Sequence, residues 1–350
     1  MNGDFPAVEA RVGQLQDWLR GQLDGFEGEL RIDRLAGGRS NPGWRLRTVQ
    51  RDCVLRARPG PRARLLPSAH AIEREFRVQR ALAGSGVPVT AVHALCEDES
   101  IVGAGFYLMD FVDGDIFRDP SLPDMSPDGR AAHYEVMGAT IADLHLLDVD
   151  AVGLRDYGRT GQYFARQIDR WTRQYAASRD RDIPEMERLI AWLPAHLPRE
   201  DDEPVSLVHG DFRIDNLVFA HGEPRLRAVL DWELSTLGHP LADFAYHVMT
   251  WHIVPDFLAG LGGLDLDALG IPDEHAYVQA YERRTGLRAG AHWDFCLAYN
   301  LFRLAAILQG VGARARAGMA TDPEAPRFAA QVPMLAALGW RFAQRAGVGP

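Results

Sequence analysis

Hydrophobic and polar positions change period along this chain, and the changes mark its elements. Val8, Val12, Leu15, Leu19 and Leu23 recur at helical spacing, which predicts an amphipathic helix over residues 6–23. ELRIDRL then alternates as a strand does, and WRLRTV and CVLRA follow as two further strand-like runs. A Gly-rich turn, Ala36 to Gly43, separates the first of these from the second. Pro59–Pro67 is rich in Pro and Arg and reads as a loop. Ile72, Phe76 and Ala83 place a helix over His70–Ala83, and Val89–Leu95 and Phe106–Val112 read as strands. Helical spacing then dominates: Pro127–Leu147, Tyr163–Tyr175 and Pro184–His196. After the solvated acidic run Arg199–Glu203, three short apolar runs follow: Val205–Val208, Leu217–Phe219 and Leu226–Leu230. His292–Arg316 is apolar nearly all round, which predicts a buried helix despite its Asn300, Arg303 and Gln309.

Composition narrows the class. The chain has 350 residues, 47% hydrophobic and 25% charged, which is globular and leaves room for two or three structural units. Its net charge of −10 disfavours a nucleic-acid partner. There is no Lys; every basic residue counted is Arg. Cys53, Cys96 and Cys296 are scattered without metal-ligand spacing, as expected of reduced interior thiols. No apolar run is expected to reach a membrane-spanning length, and the first residues lack a basic start and apolar core, so a cytoplasmic location is expected.

The chemistry concentrates between residues 205 and 243. An apolar run ends in His209-Gly210-Asp211, Asn216 follows five residues on, and a third run delivers Asp231 and Glu233. Phosphoryl transfer needs such a set. One carboxylate receives the attacking hydroxyl's proton, while a carboxylate and a carboxamide supply hard oxygens to Mg²⁺. Each member alone also fits a turn, a cap or a solvated strand end. The Gly-rich turn after the first strand fits a phosphate cover, but taken alone it fits an ordinary turn better.

His209-Gly210-Asp211 with Asn216 resembles the catalytic loop of the aminoglycoside phosphotransferase and choline kinase-like superfamily. Asp231-Trp232-Glu233 resembles its metal-binding segment, and Gly238-His239-Pro240 with Asp243 resembles its G-x-P-x-x-D segment. The resemblance implies an α+β, two-lobed protein-kinase-like fold: residues 1–112 a nucleotide-binding lobe, residues 113–350 a mainly helical catalytic lobe. It implies ATP and Mg²⁺ as cofactors and Asp211 as the general base. Asn216 and Asp231 become metal ligands, with Glu233 as a further metal or water contact. Ser40 would touch phosphate. Arg56 stands where kinases place a Lys, a departure that keeps the charge on a planar fork. Glu75 would hold Arg56, with Glu73 as its rival. The crossing at Asp110–Val112 would offer its backbone to adenine. Asp243 would brace the catalytic loop, with His209 in support, whereas His145 reads as packing or capping.

A longer set of segments is more specific. GGRSNPGWRL, IEREFRVQRAL, HGDFRIDNLVF, VLDWELSTLGHPLADFAY and FRLAAILQGVGAR together resemble the kinase domains related to those fused to acyl-CoA dehydrogenases. This implies a hydroxyacyl-CoA as acceptor and a separate acyl-CoA dehydrogenase-type enzyme as functional partner. Arg303 and Gln309 are the candidate substrate contacts, with structural pairing as their other reading. An aminoglycoside- or choline-type kinase and an inactive nucleotide-binding protein remain as alternatives.

Overall fold

The computed structural model describes residues 7–35, 41–59, 71–198, 204–318 and 324–347. In chain order the elements are α1 (Val12–Arg20), β1 (Arg31–Arg34), β2 (Gly43–Arg47), β3 (Asp52–Ala57), α2 (Ile72–Leu82), β4 (Val92–Cys96), β5 (Phe106–Asp110) and α3 (Pro127–His145). Next come α4 (Tyr163–Ser178), α5 (Pro184–Ala195), β6 (Ser206–Val208), β7 (Leu217–Phe219), β8 (Leu226–Val229), β9 (Thr236–Gly238), α6 (Pro240–Val248) and α7 (Pro255–Leu258). The remainder is helical: α8 (Leu266–Leu269), α9 (Glu274–Thr285), α10 (Trp293–Arg316), α11 (Ala325–Ala329) and α12 (Val332–Gly347).

Two units result, Met1–Asp115 with Leu217–Leu234, and Ile116–Asn216 with Ser235–Pro350. The break expected after residue 112 falls after Asp115, and Leu217–Leu234 joins the first unit. Backbone pairing explains the return. The β7–β8 hairpin bridges Val89 through Val229, and Asp115 through Phe219. Gly114 permits that approach, because a Cβ there would lie 2.2 Å from the Phe219 carbonyl oxygen.

The first unit is built on an antiparallel sheet of five strands in the order β1-β2-β3-β5-β4. Period-two alternation sends Trp44, Leu46, Cys53, Leu55, Phe106 and Leu108 to one face, where α1 covers them with Leu15 and Leu19. Arg56 and its cross-strand partner Tyr107 therefore project from the opposite face. The first helix is shorter than expected, a 3-10 turn at Glu9–Arg11 followed by α1.

The second unit is helical around α10, which packs against α4, α6, α11 and α12. At 24 residues α10 is long and apolar enough to cross a membrane, contrary to the expectation that no run approaches that length. Of its most apolar window 83% is buried within the protein, so it serves as a core helix. Sequence reading missed β9. It pairs antiparallel with β6, Ser206 against Gly238 and Val208 against Thr236, and so carries the start of α6 alongside the chain leaving β6.

Candidate active site

In the second unit the catalytic-loop candidates form one hydrogen-bonded set. β6 ends at Val208 and the chain turns through Gly210, whose φ of +83° suits glycine. The Asp243 carboxylate, 2% exposed in the first turn of α6, receives the Gly210 N–H on Oδ1 and the His209 N–H on Oδ2, each at 2.7 Å. His145 Nε2 approaches the same Oδ2 at 3.2 Å, and its Nδ1 lies 2.7 Å from the Tyr281 hydroxyl. Burial pushes the Asp243 carboxyl upward, but the His145 bond, the charges of His145 and His209 and the His209 N–H together hold it below the usual carboxylate range. His145 is thus a working member of the brace, beyond the packing or capping expected of it.

Asp211 is the centre of this set. Its Oδ1 accepts from the Tyr246 hydroxyl at 2.7 Å and from Arg213 Nε at 3.0 Å, and its Oδ2 from Asn216 Nδ2 at 3.1 Å. Burial opposes its charge, yet Arg213, Tyr246, His209 and Arg303 together lower its pKa. The Asn216 amide also donates to the Asp211 carbonyl at 2.9 Å. With its nitrogen so committed, the carboxamide oxygen remains, and no donor among the described residues reaches it. Arg303 takes the structural pairing of its two readings and not the substrate contact. It is 4% exposed, donates to the Gly210 carbonyl at 2.5 Å and lies 4.7 Å from the Tyr246 ring centroid, so it braces the loop from below. Gln309 is likewise paired within the protein, donating to the Ser178 carbonyl and to Asp180 Oδ1. In both cases a buried polar group finds a protein partner, as burial demands.

The first unit holds the cationic candidate. Arg56 NH2 donates to Asp231 Oδ1 at 2.5 Å. Its Nε lies 2.7 Å from Glu75 Oε2 but off the N–H direction, so that pair is ionic and not a directed hydrogen bond. Glu75, 1% exposed, accepts from Asn41 on Oε1 at 2.5 Å and from the Tyr107 hydroxyl on Oε2 at 3.1 Å. Burial opposes the Arg56 charge, but Glu75 and Asp231 outweigh it and raise its pKa. Burial pushes Glu75 in the opposite sense to its partner, upward. Two donors, Asn41 and Tyr107, bond that carboxyl, and Arg56, which cannot lose its proton, lies 2.7 Å away, so the pair is ionised. Glu73 instead pairs with Arg58 at 2.7 Å.

Asp231 has φ of +63°, a left-handed conformation that Asp tolerates at a cost of about 1–3 kcal/mol. Its Oδ2 has no donor among the described residues. Glu233 is half-buried in the 3-10 turn Trp232–Leu234 that follows. Asp110 closes β5 opposite Cys53, so its side chain lies on the face away from Arg56, bonded to His93 at 2.6 Å; only its backbone can serve a ligand on the Arg56 side. Val112 lies beyond β5 with no hydrogen-bond partner among the described residues. Ser40 lies outside the described residues. Tyr246, Asn41, Tyr107 and Arg213 escaped sequence reading. Tyr246 had a signal, since it follows Asp243 by three residues on a helix and so shares its face.

The sequence matches the phosphotransferase enzyme family over residues 31–293. The chain belongs to the phosphotransferase enzyme family. Over 336 residues, 95% of its length, this phosphotransferase is 44% identical to acyl-CoA dehydrogenase family member 10 of Mus musculus, of which it spans 31%. A crystal structure from Ralstonia eutropha, named provisionally as an aminoglycoside phosphotransferase, matches with TM-score 0.86 and 48% identity, covering 95% of this chain and 98% of that one. The aminoglycoside phosphotransferase APH(4)-Ia, as a thermostable mutant with ADP and hygromycin B, matches with TM-score 0.61 at 15% identity, covering 96% and 99%. That last likeness is one of fold. The α+β, kinase-like architecture expected of the phosphotransferase is thus the one observed.

Proposed function

We propose that this phosphotransferase transfers the terminal phosphoryl group of ATP to a hydroxyl of an anionic acceptor, a hydroxyacyl-CoA. The observation that carries the acceptor class is the cationic setting of Asp211. Arg213, 46% exposed, lies 3.0 Å from its Oδ1 and pairs also with Asp215 at 3.1 Å, which sets a guanidinium at the solvent side of the candidate base. A site for a polycationic sugar or a quaternary amine collects carboxylates or aromatic cages, whereas guanidinium groups favour carboxylate and phosphate. The relatives named as acyl-CoA dehydrogenases, of which the mouse protein is about three times longer than the match, support the acyl-CoA part. A separate acyl-CoA dehydrogenase-type enzyme would then be the functional partner.

In this reading Asp211 receives the acceptor hydroxyl's proton as the acceptor oxygen bonds to the γ-phosphorus and the bond to the β,γ-bridging oxygen breaks, releasing ADP. A base held below the usual carboxylate range is weak. That suits a loose phosphoryl transfer, where positioning counts for more than proton abstraction. Tyr246 and Asn216 fix both carboxylate oxygens. Arg56, oriented by Glu75, would neutralise phosphate charge. Mg²⁺ when bound would neutralise the phosphates further, and each unit by itself offers one hard oxygen of the kind it prefers, Asp231 Oδ2 in the first and the Asn216 carboxamide oxygen in the second. The backbone at Asp110–Val112 would meet adenine.

The test is Mg²⁺-dependent ATP consumption against hydroxyacyl-CoAs, free hydroxy acids, choline and aminoglycosides, with Asp211→Asn as control. Turnover with the thioesters, lost in Asp211→Asn, is expected. Turnover confined to the cations would overturn the acceptor assignment, and full turnover by Asp211→Asn would overturn the base.

A further inference from the structure

One trio of metal-ligating side chains among the described residues lies on the sheet face away from Arg56, and it shares with the phosphoryl-transfer candidates only Asp110, through its side chain and not the backbone proposed to meet adenine. Cys53, His93 and Asp110 offer a thiol, an imidazole and a carboxylate whose ligating atoms all fall within 4.8 Å of one another. They come from three neighbouring strands. Cys53 and Asp110 are direct cross-strand partners on β3 and β5. His93 sits where the β4–β5 register shifts between Val92 and Ala94. Such a bulge re-aims one side chain out of the regular alternation, and here the imidazole is turned onto Asp110, Nε2 to Oδ1 at 2.6 Å. Cys53 is fully buried beneath, while His93 and Asp110 keep 20% and 46% of their side chains exposed. The trio therefore has a closed floor and an open mouth.

We propose that Cys53, His93 and Asp110 form a binding site for a borderline divalent transition metal of the Zn²⁺ class, with a solvent molecule in the fourth position. Thiolate, imidazole and carboxylate together suit Zn²⁺ or Co²⁺, and a thiolate repels a hard ion such as Mg²⁺. Bonds of about 2.0–2.3 Å put tetrahedral ligands about 3.3–3.8 Å apart, so the trio must contract around the ion by about 1 Å. The two exposed side chains can make that movement, with the His93–Asp110 bond opening to admit the ion. Binding exchanges a proton for the metal: Cys53 S–H becomes a metal-bound thiolate, and one H⁺ leaves to solvent. The metal-free thiol holds its proton firmly, pushed up to about 11 by burial and by Asp110, so loading is expected to strengthen with rising pH. The ion would also cross-link β3, β4 and β5 at the end of β5. The site uses no residue assigned to the acceptor, and its metal binding is read without any transfer assay.

The experiment uses the full chain, stripped with chelator and titrated with Co²⁺. One equivalent should produce thiolate-to-metal charge-transfer absorption, displaced by Zn²⁺ and unaffected by excess Mg²⁺. Cys53→Ser should abolish the band, and His93→Gln should weaken binding at least tenfold. Because Cys53→Ser perturbs a core position, its fold is checked by circular dichroism. His93→Gln, at a partly exposed position, carries the test if that variant unfolds. Zn²⁺ should also raise the wild-type melting temperature and leave that of His93→Gln unmoved. Absence of the band, its persistence in Cys53→Ser, or wild-type affinity in His93→Gln would each overturn the proposal.

Discussion

Asp243→Asn offers the sharpest test of how the catalytic loop is held. In the native protein both carboxylate oxygens accept backbone N–H groups, Gly210 on one and His209 on the other, at 2.7 Å. The amide replaces one acceptor with an NH₂ group, which must then face an N–H or lose its bond. The loss is one charge-assisted hydrogen bond plus a buried donor left without a partner, partly offset because a neutral group no longer needs desolvating. Each of the first two is worth about 1–3 kcal/mol, so a net cost of about 2–4 kcal/mol follows. Against a typical total of about 5–15 kcal/mol that is a substantial fraction, and it corresponds to a fall in Tm of about 5–15 °C. Scanning calorimetry measures it directly. Transfer assays at a temperature where both proteins are folded should show kcat reduced at least tenfold, since the loop that carries Asp211 loses its anchor. A Tm within about 1 °C of wild type together with unchanged kcat would refute the bracing role.

Arg56→Met leaves Glu75 as a buried carboxylate without its cation and should cost about 3–5 kcal/mol in denaturant unfolding; a loss under about 1 kcal/mol would mean the pair is not ionised. Tyr246→Phe removes one donor from Asp211 and should lower kcat about three- to tenfold while stability falls only about 1 kcal/mol, and an unchanged kcat would count against its positioning role. Arg213→Glu should raise KM for anionic acceptors several-fold more than for neutral ones, and equal effects would separate Arg213 from acceptor recognition. Burial lowers His239 and His247 to about 4 each. Their folded pKa values lie below the unfolded value of about 6.5, so the unfolded chain binds more protons between about pH 4 and 6.5. Stability should be fully present above that window and fall as pH drops through it, by on the order of 3 kcal/mol per histidine; urea midpoints that stay level between pH 8 and 4.5 would contradict this.

Much of this could be read from the chain itself. Period-two runs predicted β2, β3 and β5, and period-3.6 runs predicted α2, α3 and α10, because alternation and helical spacing are local properties. The loop from His209 to Asn216 was legible for the same reason, since its members lie within eight consecutive residues. Glu75 could be chosen over Glu73 as the partner of Arg56, and the structure pairs Glu73 with Arg58 instead. Arg303 was harder. A buried cation announces that it needs a partner, but nothing near it in sequence says whether that partner is a substrate or the protein.

The sequence alone therefore determined the element types, the family motifs and the identity of the candidate base. Folding in three dimensions decided who holds them. Arg303 meets Gly210 across 93 residues, His145 meets Asp243 across 98, and Arg56 meets Asp231 across 175. It also returned Leu217–Leu234 to the first unit and brought Cys53, His93 and Asp110 together from three strands. The physical reason is common to all of these. A helix or strand leaves its period in neighbouring residues, whereas a hydrogen bond between distant segments depends on sheet register and helix packing, which no single stretch of sequence records.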